Sequence, residues 1–462
     1  MGVHKCNSPT LFSEFFGKKW KNRDLNLFVN LHSNCAVMKK TLLISILTLC
    51  LLHLSAQPEV SGITMEDNIY VKGIKSVTLL PAGQIHGEPV AQLGLGDEQL
   101  ALAFDDLEQK DRFYKYTFIH CTHDWKPSDM NPIEYLDGFL EDELTEFNYS
   151  FNTVTRYVHH SLVFPNQNMR FKLSGNYILL VYDDTPDNPV LTRRFMVLEA
   201  DPVGIEGEVH AASDVNDRFT KQEVDFSVST GNYLIRNPIM TVHATIRQNG
   251  RWDNAIYGLP YRSSYPGVLS FDYDDGRNVL PGGAEFRTFD ISTLHSNADR
   301  IVGITYANHE NQAYVLQDDA RPFGAYESRS TMKGDCFYRN RDMQNPYSED
   351  YVNTHFTLKS PFYISGGAVY VFGKLTDWRI LPEAKLKYNN VYQYWEADFL
   401  IKQGMYNYQY VFVPDGTEAI DATYIEGSHF ETQNNYTVLV YFREEGTSYD
   451  KLIGMRVLGA RE

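Results

Sequence analysis

The densest run of chemistry-bearing side chains is His120-Cys121-Thr122-His123-Asp124, with two imidazoles, a thiol and a carboxylate in five positions. These are the donor types of a zinc site, which needs three or four of them converging on one point. On an extended strand, however, neighbouring side chains alternate faces. His120 and Asp124 then face one way and Cys121 and His123 the other, leaving each face two donors. His159-His160 divides in the same manner. Asp272-Tyr273-Asp274-Asp275-Gly276 has calcium-type acids, but an EF-hand loop places glycine sixth and glutamate twelfth. Here glycine is fifth and the twelfth position is Gly283. Neither His-Glu-x-x-His, nor Gly-x-Ser-x-Gly, nor a phosphate-binding loop occurs. The expectation is a non-enzyme: no catalytic residue, no metal site and no cofactor.

The elements that must carry these residues read as strands. Tyr (31), Phe (27) and Trp (5) bring the aromatics to 14%, and such residues suit a pleated, half-buried surface. Alternating runs at 68–80, 113–119, 177–182 and 195–198 are separated by Pro, Gly and Asp, the punctuation of sandwiches or barrels. One helix is expected over residues 132–147, which open on Pro132 and carry early acids, although Asp137-Gly138 interrupts it. Asp275-Gly276 and Asp415-Gly416 lie between apolar runs and read as hairpin turns. The fold class is all-β, several immunoglobulin-like β-sandwich domains in tandem with at most one or two short helices.

The 462 residues carry a formal net charge of −17, which argues against nucleic acid, since that affinity rests on cations neutralising phosphates. Met38-Lys39-Lys40, the apolar run 41–54 and Ser55-Ala56 have the plan of a secretory signal peptide. Residues 1–37 are read as a mis-assigned start, 38–56 as the signal peptide, and no later run is long enough for a spanning helix. Cys6, Cys35 and Cys50 leave with it. Cys121 and Cys336 remain, either as a disulfide or as two buried thiols. Linker-like stretches divide the rest into a first sandwich (57–200), a second (201–330), a linker (331–355) and a C-terminal sandwich (356–462).

In the last of these, a strand enters a tryptophan-bearing turn at Leu375-Thr376-Asp377-Trp378. It is followed by Tyr394-Trp395-Glu396 and Gly404-Met405-Tyr406-Asn407-Tyr408-Gln409-Tyr410, then by Asp415-Gly416. The pattern resembles the early-set immunoglobulin-like sandwich of glycogen- and starch-binding modules. That resemblance implies Trp378 and Trp395 as glycan or partner contacts. Read as residues alone, the same two rings more often close a sandwich core.

A second resemblance spans nearly the whole exported chain. Its ordered motifs begin at Tyr114 to Ser128, continue through Glu134 to Phe139, Tyr157 to His160 and Leu173 to Leu179, and reach Pro189 to Val197. They end in Gln248-Asn249-Gly250-Arg251-Trp252-Asp253-Asn254 and Gly283-Ala284-Glu285-Phe286-Arg287. The set resembles the plug proteins of the Bacteroidota type IX secretion system, departing from their pattern at His159-His160 and Lys333-Gly334-Asp335. The resemblance implies a periplasmic protein, held at the outer membrane by its partner, the translocon barrel protein. It would dock on the barrel's periplasmic mouth and seal the pore while no cargo is engaged. The docking surface is not indicated. Two other classes are weighed against it. An exported carbohydrate-binding or glycan-processing protein would use the C-terminal sandwich, but it lacks a placed pair of catalytic carboxylates. An outer-membrane barrel would need regular strands of about ten residues, and the breaks here are too irregular.

Overall fold

In the strand Tyr114–Cys121, Tyr114, Tyr116, Phe118 and His120 are buried while Lys115, Thr117 and Ile119 are only partly so. That alternation is what a strand covered on one face dictates. It lies in a computed structural model that describes residues 62–94, 98–110 and 112–459. The expected start extension and signal peptide fall outside those residues.

Beside it, Gly175–Asp183 is buried at eight of nine positions, the mark of a strand covered on both faces. On one face Tyr177, Leu179 and Val181 join Phe118, Phe164 and Phe195 in the first core. On the other Ile178 meets Met196, Leu439, Tyr441 and Leu452. The first sandwich closes with a second sheet in the spatial order Ile74–Pro81, Leu100–Asp106, Val158–Phe164, Glu146–Tyr149.

Among the described residues one sheet of ten strands runs through two sandwiches. Pro189–Leu198 meets Lys451–Gly459 in parallel through Leu198 and Leu452. Lys451–Gly459 pairs Asn435–Phe442, which pairs Val242–Gln248. The second sandwich packs this half of the sheet against Gly204–Ala211, Lys221–Ser229 and Val268–Phe271, around Phe226, Phe271, Val438 and Ile453. The third sandwich sets Arg287–Asp290, Gly404–Pro414 and Gly367–Phe372 against Ile301–Ala307, Glu310–Val315, Tyr351–Lys359 and Tyr394–Lys402. Phe289, Phe356, Tyr406 and Tyr408 form its aromatic centre.

The described residues are thus nearly all β, in tandem sandwiches without a barrel, but several local expectations give way. The sheets do not follow the expected segments. Strands 287–315 pair within the third sandwich, not the second, and Asn435–Gly459 returns from the C-terminal segment to the second. The expected linker holds the strand Cys336–Tyr338, hydrogen-bonded to Gly404–Pro414. The helix at 132–147 lasts one turn, Pro132–Tyr135, capped reciprocally by Asn131 and Glu134. It stops because Gly138 (φ +95°) lies against the backbone of Asn168, where a Cβ would collide, and Leu136–Gly138 pairs Met169–Phe171 instead. Pro238–Thr241 and Thr423–Glu426 are also single turns, one more helix than expected. Asp275-Gly276 is not a hairpin: Val268–Phe271 and Val279–Pro281 both pair Lys221–Ser229. The turn merely jogs the chain along one partner. Asp415-Gly416 does reverse the chain, bringing Asp421 back opposite Phe412.

Candidate functional site

The sheet geometry brings parts of all three sandwiches around a cleft of about 1100 Å³. Trp252, from the Gln248–Asn254 motif, lines it. The Arg247 guanidinium lies 3.7 Å above its ring, Tyr257 is nearly parallel at 6.1 Å, and Trp125 meets it edge-on at 4.9 Å. Arg194 sits over Trp125 at 4.7 Å and over Trp252 at 5.4 Å. Cation–π contacts of this kind contribute about 0.5–2 kcal/mol each, more when desolvated. Arg247 also pairs with Glu88 at 2.9 Å, and Thr437 donates to the other Glu88 oxygen.

The neighbouring Arg251 forms an ion pair with Asp253 and lies 5.3 Å over Trp378. Trp378 also meets Phe286 and Phe372 edge-on, and Gly334 packs against its ring with no space for a Cβ. This ring therefore joins sandwiches, and it also lines the cleft. Trp395 is half-buried against Tyr388, beside the third core.

The turn before Trp378 supplies the cleft's charged floor. Asp377 forms ion pairs with Arg193 at 2.7 Å and with Lys374 at 3.2 Å. Burial opposes its ionisation, but Arg193 and Lys374 outweigh burial and hold the carboxyl below the ordinary range. Asp377 and Trp378 are both left-handed, at φ 57° and 54°, a conformation non-glycine residues hold only when their surroundings impose it.

The strand carrying His120 ends at Cys121, so face alternation does not extend to His123 and Asp124. His120 bonds Ser128 and the Ser174 carbonyl, and burial pushes its pKa down to about 4. Cys121 is in the core, its thiol pushed up to about 12 by burial. His123 bonds Asp450 at 3.1 Å and stacks on His243. Asp124 holds Thr122 and Lys126. Among the described residues no three His, Cys, Asp or Glu side chains are grouped as a metal site would need. His159 bonds Asp105, whereas His160 stacks on Phe104 in the first sandwich and is lowered to about 4 by burial. Cys121 and Cys336 are both buried, free thiols. The Asp272 to Gly276 acids pair locally, Asp274 with Arg262 and Asp275 with Arg277.

Two buried ionic nodes were not legible as nodes in the sequence. Asp105 accepts Lys402, Tyr351 and His159, each at 2.7 Å, tying the first sandwich to the third. Arg287, the last residue of the Gly283–Arg287 motif, reaches Glu426, Asp318 and the Asp319 carbonyl. The motif hinted at Arg287 but not at its partners, which lie far away in the chain.

Committed in this way, the charged and aromatic side chains define a joined multi-sandwich scaffold, and the described residues contain no helix long and apolar enough to cross a membrane. Residues 74–199, from the first strand of the first sandwich's smaller sheet to just past Pro189–Leu198, match the type 9 secretion system plug protein 1st domain. A hypothetical protein from Parabacteroides merdae has 32% identity, covering 86% of this chain and 100% of that one, with a TM-score of 0.81. The teleost fish polymeric Ig receptor ectodomain (10% identity, 46% of this chain and 90% of that one, TM-score 0.14) is far less similar. So is the C-terminal domain of a Streptococcus pyogenes antigen I/II-family protein (7%, 83% and 98%, TM-score 0.15). No curated protein matches the sequence. The chain belongs to the same family as the Parabacteroides merdae protein, and its first sandwich is a type 9 secretion system plug domain. The family whose model matches residues 74–199 is a component of a secretion system.

Proposed function

We propose that this protein is a periplasmic plug that docks on the inner mouth of the type IX outer-membrane translocon barrel and seals its pore when no cargo is engaged. The match of residues 74–199 to the plug domain carries the reading. The joined sheet and the buried Asp105–Lys402 pair support it, because a stopper must resist deformation and beads on flexible linkers do not. The alternative, an exported glycan-binding protein, has less support, since no family match accompanies it and the Trp378 ring is packed against Phe286, Phe372 and Arg251.

The test is a deletion strain. Loss of the plug should admit bulky solutes such as vancomycin, and only while the translocon is present. In native pull-downs the plug should accompany translocon without cargo and be depleted from the cargo-filled form. Normal permeability in the deletion strain, or equal recovery on both forms, would remove the support for sealing.

A further inference from the structure

One of the cations lining the cleft is not paired as the others are. Arg379, half-buried on the cleft wall, makes no side-chain hydrogen bond or ion pair among the described residues. Its neighbours differ. Arg193 and Lys374 share Asp377, Arg247 has Glu88, and Arg194 donates to the Met65 carbonyl and stacks on Trp125. The nearby acid Asp67 already accepts the Arg194 backbone N–H. Arg193, Lys374 and Arg379 thus stand around Asp377, and Asp67 and Glu383 also act on Arg379 without pairing it.

The backbone supports the same conclusion. Asp377 and Trp378 are left-handed in succession. Such conformations are held against a backbone cost and cluster at ligand clamps. The ion pairs of Asp377 and the packing of Trp378 hold this turn, and the turn places Arg379 at the cleft.

We propose that the cleft binds an acidic peptide segment, with one carboxylate paired to Arg379. A planar guanidinium matches a carboxylate in two parallel hydrogen bonds. Asp67 and Asp377 nearby favour a single negative charge over a phosphate dianion. Leu80, Met332 and Val457, with the Tyr257 ring, give apolar contact for residues flanking the carboxylate. Burial disfavours the charged form of Arg379 more than Asp377, Asp67 and Glu383 support it, with Arg193 adding to the burial effect, and a paired carboxylate would relieve that. The proposal does not depend on the plug reading.

Calorimetry on the full exported chain at low salt tests it, with four probes. One is a peptide with internal glutamates and blocked ends. A second replaces glutamate by glutamine but has a free C-terminal carboxylate. A third is the glutamine peptide with blocked ends, and the fourth is inorganic phosphate. The first or second probe should bind, which separates a side-chain from a terminal carboxylate, and the third and fourth should not. Arg379→Gln should weaken binding tenfold or more, Arg379→Lys less, and Arg277→Gln, outside the cleft, not at all. If Arg379→Gln folds poorly, the unaltered protein still decides: the acidic peptide should shield Arg379 from phenylglyoxal, read by mass spectrometry. Equal binding of the third probe, stronger binding of phosphate, no binding by any peptide, or no shielding would overturn the proposal.

Discussion

Lys402 Nζ lies 2.7 Å from Asp105 Oδ2, both side chains are almost wholly buried, and the pair bridges the third and first sandwiches. Tyr351 donates to the same oxygen and His159 bonds the other, so the carboxylate is satisfied on both sides. Breaking a buried pair by removing one partner leaves the other charge stranded. Lys402→Met should therefore destabilise the protein by about 3–5 kcal/mol, and Lys402→Met with Asp105→Leu by less than Lys402→Met alone. Denaturant melts of both variants decide it; a double variant no better than the single would refute the ionic account.

Glu426 gives a pH signature. Burial opposes its ionisation, yet Arg287 and Arg321 outweigh burial and hold its pKa at about 2. The folded value lies below that of an unfolded glutamate, about 4.3. The folded state therefore binds fewer protons through this interval. The contribution is complete above about pH 4.3 and is lost as pH falls through about 2. Glu426→Gln should lower Tm at neutral pH and flatten the acid limb of the Tm profile. An acid limb as steep as that of the unaltered protein would show that Glu426 does not drive it.

Cys121 and Cys336 lie in separate clusters, and burial pushes both thiols up to about 12. Thiolate is the reactive form, so neither should react with a thiol reagent until the protein is unfolded, and reductant should leave Tm unchanged. Rapid labelling of the native protein would contradict this placement.

Trp252 is wedged between arginines from two sandwiches. Trp252→Ala should cost about 3–5 kcal/mol, in the range of large aromatic truncations. It should also separate a single calorimetric transition into two, as the first and second sandwiches lose a shared contact. A single transition with unchanged Tm would show that the joined sheet alone couples them.

Much of the strand content was legible from the sequence. The alternation over 113–119 announces a strand, and Pro132 with its early acids announces a helix start. Both depend on neighbours within a few residues, where side-chain period and capping act. The length of that helix was not legible, because the segment Met169–Phe171, thirty residues on, competes for the backbone of Leu136 to Gly138. Nor was the return of Asn435–Gly459 to the second sandwich, since its alternating pattern suits many sheets and only pairing with Val242–Gln248 selects one. The candidate site shows the same division. Trp378 and Arg379 could be read as residue types in a turn. Whether that tryptophan faces solvent or protein, and whether that arginine finds an acid, depends on groups brought together across hundreds of residues. A local pattern records only how each side chain prefers to be covered. The folded chain decides what covers it, because backbone pairing and charge neutralisation are satisfied by whichever distant segments the topology brings together.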